Sequence, residues 1–82
     1  MLRKKDDVSL KDFENFGFKY GTRETFLYKT KSNGMESKIY IDLQPCHNNN
    51  NELKVQCPSH IVSEKIIDKL YDLITAGLIE KV

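Results

Sequence analysis

Apolar residues recur at helical spacing near both ends of the chain and at every second position in its middle. Toward the C-terminus, Ile66, Ile67, Leu70, Leu73 and Ile74 form one apolar stripe, while Lys65, Asp68, Lys69 and Asp72 fall on the other side. Ser63 is placed to cap this helix. Val62 before it can staple onto Ile67, and Glu64 sits where the positive end of the helix dipole favours an acid. The pattern runs to Ala76 and stops at Gly77. A left-handed Gly77 would let Leu78 fold back on Leu73, leaving residues 79–82 as a short tail.

The same start and stop signals occur in miniature near the N-terminus. Val8 precedes the cap Ser9, Asp12 follows three residues later, Phe13 is the staple partner, and Gly17 and Phe18 form the exit. Such a helix has about two turns and does not persist alone in water, so Leu10, Phe13 and Phe16 must dock on the rest of the domain.

Between these segments the period changes to two around Asn33-Gly34, a strong hairpin signal. A two-residue loop sets Tyr28 opposite Ile39 and Phe26 opposite Ile41 on one apolar face. Lys31 then opposes Glu36, and Lys29 meets Lys38 on the other face as a like-charge pair. A third strand is expected over residues 51–57, with Leu53, Val55 and Cys57 facing the core and the amide-rich residues 48–51 as a loop. The expected fold is therefore α+β: a short N-terminal helix, a three-stranded antiparallel meander, and an amphipathic C-terminal helix packed on one face. Residues 1–82 read as one small domain, with residues 1–7 a loose charged start.

Composition narrows the function classes. At 82 residues the chain can close a single core with a thin stability margin, which a metal or a partner chain would widen. Thirteen Lys and Arg against twelve Asp and Glu give a net charge of +1, far from the balance of a dedicated phosphate-backbone binder. No apolar leader or membrane-length segment is present, so a cytoplasmic location is expected and the two cysteines should stay reduced.

Both cysteines and both histidines lie within residues 46–60, and these are the residue types that bind zinc. Cys46, His47, Cys57 and His60 are thus candidate ligands for a structural Zn²⁺. Cys57 and His60 form the better half, because the two-residue gap lets both side chains turn onto one ion. A homodimer could supply a second such pair. A regular hairpin centred on Asn48 and Asn49 conflicts with a four-ligand site. It puts Cys46 near Asn51 and leaves Cys57 about 20 Å along the strand. The other reading makes Cys57 a small core residue and the rest solvated loop residues.

An enzyme is not expected. There is no phosphate-binding loop, dinucleotide fingerprint or triad signature, and no orienting carboxylate or amide marks a Cys-His nucleophile. On the outer hairpin face Lys29, Lys31 and Lys38 surround Tyr40 and Leu27, a pattern compatible with a weak single-strand platform or with a solvated sheet face. The pairing of Leu27 with Tyr40 on that face is unusual, because the inner face already has its apolar residues. It requires a cover, either from the N-terminal helix or from another protein.

The stretches LKDFENFGFKY near the front and KLYDLITAGLIEKV at the back give the chain the style of small accessory proteins encoded by phages and mobile elements of low-GC Gram-positive bacteria, which it resembles. The resemblance implies binding to a host protein, with inhibitors of host defence of the anti-CRISPR type among the examples. The expected function is accordingly a non-enzymatic protein-binding module acting through Leu27, Lys29, Lys38 and Tyr40. The alternative is a weak nucleic-acid-binding or transcription-accessory protein.

Overall fold

The computed structural model describes residues 1–32, 34–44, 51–58 and 63–82. Among them the element order is β1 (Leu2–Lys4), α1 (Leu10–Glu14), β2 (Lys19–Tyr20), β3 (Thr25–Ser32), β4 (Met35–Asp42), β5 (Leu53–Gln56), α2 (Glu64–Thr75) and β6 (Ile79–Lys81). This is a small α+β domain, but the expected three-stranded sheet is wrong. The described strands form a four-stranded antiparallel sheet in the order β2-β3-β4-β5 and a two-stranded sheet of β1 and β6.

The central hairpin has the register expected of it. Tyr28 faces Ile39, Phe26 faces Ile41, Leu27 faces Tyr40, Lys29 faces Lys38 and Lys31 faces Glu36. Gly34 has φ +78°, which a side chain would strain, while Asn33 lies outside the described residues.

The three missed strands are short. Lys19 and Tyr20 add an edge to β3 by pairing with Leu27 and Phe26, and two residues carry no readable period. The start and the tail of the chain pair with each other, Leu2 with Lys81, Arg3 with Glu80 and Lys4 with Ile79. Residues 2–4 are therefore not the loose start that their charge suggests. Lys4 is buried, and its Nζ donates to the carbonyl oxygens of Lys5 at 3.0 Å and Val8 at 2.6 Å. Its backbone N–H donates to Asn51 O at 2.9 Å, and an Arg3–Glu52 bridge joins the small sheet to the start of β5.

The register of β5 also differs. Pairing Cys46 with Asn51 would set Ile41 opposite Gln56, whereas Ile41 faces Leu53 and Ile39 faces Val55. A shift by an odd number of residues moves every side chain to the other face, so a hairpin centred on Asn48 and Asn49 conflicts with the expected inward facing of Leu53, Val55 and Cys57, and the structure keeps that facing with a different register. The observed one keeps Leu53 inside.

Both helices end as their sequences dictate. Ser9 and Asp12 form a capping box at α1, and Phe18 N–H reaches Phe13 O past Gly17 at φ +89°. Ser63 Oγ accepts from Lys65 N–H at 3.2 Å. At the far end Gly77 N–H donates to Ile74 O and Leu78 N–H to Leu73 O, both at 3.0 Å, a Schellman stop with Gly77 at φ +77°. The helices cover the inner face of the large sheet. Phe13, Phe18, Phe26, Ile39, Ile41, Leu53, Ile66, Leu73, Leu78 and Ile79 make one continuous core, with Phe18 edge-on to Phe13 and stacked on Phe26.

Candidate functional site

Two surfaces stand out, and only one was expected. The outer face of the large sheet carries two central rows. One reads Lys29, Lys38, Gln56 across three strands, and the other reads Lys19, Leu27, Tyr40, Lys54 across four. Leu27, expected to present an apolar contact to a partner, is buried at 6% exposure. Its cover is the chain itself. β2 lies beside it, and a Cβ built on Gly21 would stand only 2.4 Å from Leu27 Cδ2, so glycine is what lets the β2–β3 turn close over the leucine. Tyr40 is half-buried, and the Lys38 ammonium lies 5.4 Å from its ring centroid. What remains open on this face is cationic rather than apolar.

That turn is unusual in its backbone. Arg23 and Glu24 are consecutive non-glycine residues with φ +58° and +52°, a conformation that costs about 1–3 kcal/mol per residue. Hydrogen bonds from the end of β4 hold it. Gln44 Nε2 donates to Arg23 O at 2.9 Å and Leu43 N–H to Glu24 O at 2.8 Å, while Gly21 N–H donates to Thr25 O and Thr25 Oγ1 to Thr22 O, each at 2.8 Å. The turn and the sheet enclose an open depression of about 440 Å³, lined by Lys19, Arg23, Lys29 and Lys38 together with Tyr20, Gly21, Thr22, Thr25 and Leu27. No carboxylate lines it, and among the described residues none of the four cations forms an ion pair.

The second surface is on α2. The single stripe expected there splits in two. Ile66 and Leu73 are fully buried, whereas Ile67, Tyr71 and Ile74 are 54%, 69% and 51% exposed. At 3.6 residues per turn these three fall within about 60° of one another, on a flank turned away from the buried pair. Glu64, Asp68 and Asp72, four residues apart and all exposed, run beside them. The other side of the helix is occupied internally: Lys69 Nζ lies 4.8 Å from the Tyr28 ring centroid and 5.9 Å from that of Phe16. The α2 stripe could have been found in the sequence from its width, since five apolar positions plus Tyr71 span more of the helix than a small sheet can cover.

Of the candidate zinc ligands, Cys46, His47 and His60 lie outside the described residues. Cys57 is a free thiol, half-buried and packed against the core. It follows Gln56 at the hairpin-turn end of β5, whereas Gln44 and Asn51, which bound the segment holding Cys46 and His47, lie beyond the Leu53 end. Among the described residues no three His, Cys, Asp or Glu side chains group as metal ligands, and no helix is long and apolar enough to cross a membrane.

No protein-family profile, curated protein or solved structure matches the chain.

Proposed function

We propose that this protein is a non-enzymatic module that binds another protein, and that its contact surface is the outer stripe of α2 formed by Ile67, Tyr71 and Ile74. The observation that carries this reading is the exposure of three large apolar side chains at helical spacing in so small a domain, where such side chains stay outside at a cost unless something covers them. Tyr71 at the centre, flanked by two isoleucines, has the makeup of an interface anchor. The acidic row Glu64, Asp68 and Asp72 along one side favours a partner that sets Lys or Arg beside its own apolar residues. Under the resemblance to phage-type accessory proteins, that partner is a host protein.

A photo-crosslinking residue placed at Tyr71, with Glu14 on α1 as a control position, tests the reading in a low-GC Gram-positive host. A discrete adduct from position 71, absent from position 14 and lost when Ile67→Ser and Ile74→Ser are combined, is the expected result. Equal labelling at both positions, or no adduct at position 71, would contradict it.

A further inference from the structure

We infer that the depression between the β2–β3 turn and the outer face of the sheet is a binding site for the closely spaced phosphate groups of a polyphosphorylated ligand. The inference is independent of the α2 stripe, which lies on the helical side of the sheet. Four cations from three separate places converge on the depression: Lys19 from β2, Arg23 from the turn, and Lys29 and Lys38 from the central hairpin. Three carboxylates stand beside it without lining it: Glu24 between Arg23 and Thr25 in the turn, Asp42 opposite Thr25, and Glu36, which shares a neighbouring depression with Lys38. The molecule is almost neutral overall, at +1, so this concentration of one sign reflects segregation of charge rather than a basic chain.

Register makes the arrangement specific. Lys29 and Lys38 are held directly opposite each other, a pairing that repels in the free protein and that a bridging anion would turn to attraction. Lys38 is held in place over the Tyr40 ring, and Arg23 is carried on a backbone that four hydrogen bonds keep in a left-handed conformation. Thr22 and Thr25 add hydroxyl groups to the lining. Ammonium and guanidinium groups of this kind bind phosphate oxygens by charge-assisted hydrogen bonds. The volume, about 440 Å³, suits two or three phosphates with their sugar. Lys54, across from Tyr40, extends the positive row beyond the depression along a path that a strand of nucleic acid could follow. The shared chemistry is the phosphate group, from either a free nucleotide-like ligand or a single strand.

Titration calorimetry on the full chain with tripolyphosphate and with a ten-nucleotide oligothymidylate tests this at about 50 mM and 300 mM NaCl. Saturable binding at the lower salt that weakens at the higher is expected, with at least a tenfold loss of affinity in Lys29→Gln and Arg23→Gln and little change in Lys11→Gln on α1. Preference for tripolyphosphate assigns the site to a free polyphosphate. Preference for the oligonucleotide assigns it to a strand, with Lys54→Gln then weakening binding as well. The thermal melt of Lys29→Gln, expected at or above that of the unsubstituted protein at low salt, separates loss of the site from loss of the fold. Absence of binding to both probes, an equal loss in Lys11→Gln, or equally tight binding of a ten-residue glutamate peptide would overturn the inference.

Discussion

Lys29 and Lys38 face each other directly across the β3–β4 hairpin, and among the described residues neither is neutralised by an ion pair. Opposed like charges on a sheet cost a few tenths of a kcal/mol to about 1 kcal/mol, and the cost falls as salt screens them. Lys29→Glu reverses the sign of this contact. The melting temperature should rise by about 2–6 °C at low ionic strength, and the gain should shrink at 0.5 M NaCl. A variant that is no more stable at low salt would show that the pair is already compensated.

The contact between Gly21 and Leu27 predicts a coupled response. Gly21→Ala pushes a methyl group onto Leu27 Cδ2 and should cost about 1–2 kcal/mol, and Leu27→Ala should cost about 2–4 kcal/mol through the space it empties. The alanine at position 21 partly fills that space in the double variant, which should therefore lose less than the sum of the two, measured by urea unfolding. Strict additivity would mean that the turn does not cover Leu27.

Lys4 ties the start of the chain to the entrance of α1 through two carbonyl oxygens. Lys4→Met keeps the aliphatic length and removes the donor, so it should destabilise by about 1–3 kcal/mol. Removal of residues 1–4 should cost more, because β6 then loses its only pairing among the described strands. Chemical denaturation of the two proteins measures both, and a Lys4→Met variant as stable as its parent would place the ammonium in solvent.

Cys57 packs against the core, and a thiol in such a place acts as a small apolar side chain. Cys57→Ala should therefore lower stability by about 1 kcal/mol, and a strong chelator should leave the melting temperature unchanged. One zinc per chain in protein purified without a metal-affinity tag, lost together with a fall in melting temperature, would instead assign Cys57 with Cys46, His47 or His60 to a structural site.

Much of the central architecture was legible because it is local. The Asn33-Gly34 signal with the alternation on either side of it specifies the β3–β4 register, and Ser63 and Gly77 specify both ends of α2. What escaped the sequence depends on partners far apart in the chain or on very short pairings. Leu2 meets Lys81 only after the whole domain has closed, and Lys19-Tyr20 is a strand only because β3 lies beside it. The same limit explains the candidate surface. Leu27 opposite Tyr40 marks an apolar residue that needs a cover, expected from the N-terminal helix or another protein, whereas the β2–β3 turn lies over it through Gly21, a neighbour six residues away whose role depends on lacking a side chain. On α2 the periodicity gives the direction of one apolar stripe, and only its width, five apolar positions plus Tyr71, signals that the sheet cannot reach all of it. Ile66 and Leu73 are within its reach, and Ile67 and Ile74 are not.

The account places Leu27 in the interior and the α2 stripe at the surface, so thermal melts of Leu27→Asp, Ile67→Asp and Ile74→Asp compare the two assignments directly. A buried unpaired carboxylate at position 27 should unfold the domain or lower its melting temperature by at least 15 °C, whereas Asp at position 67 or 74 should change it by no more than about 3 °C. If Ile67→Asp and Ile74→Asp unfold the domain while Leu27→Asp is tolerated, α2 is core on both flanks, the outer sheet face is the open surface, and the proposed contact site is wrong.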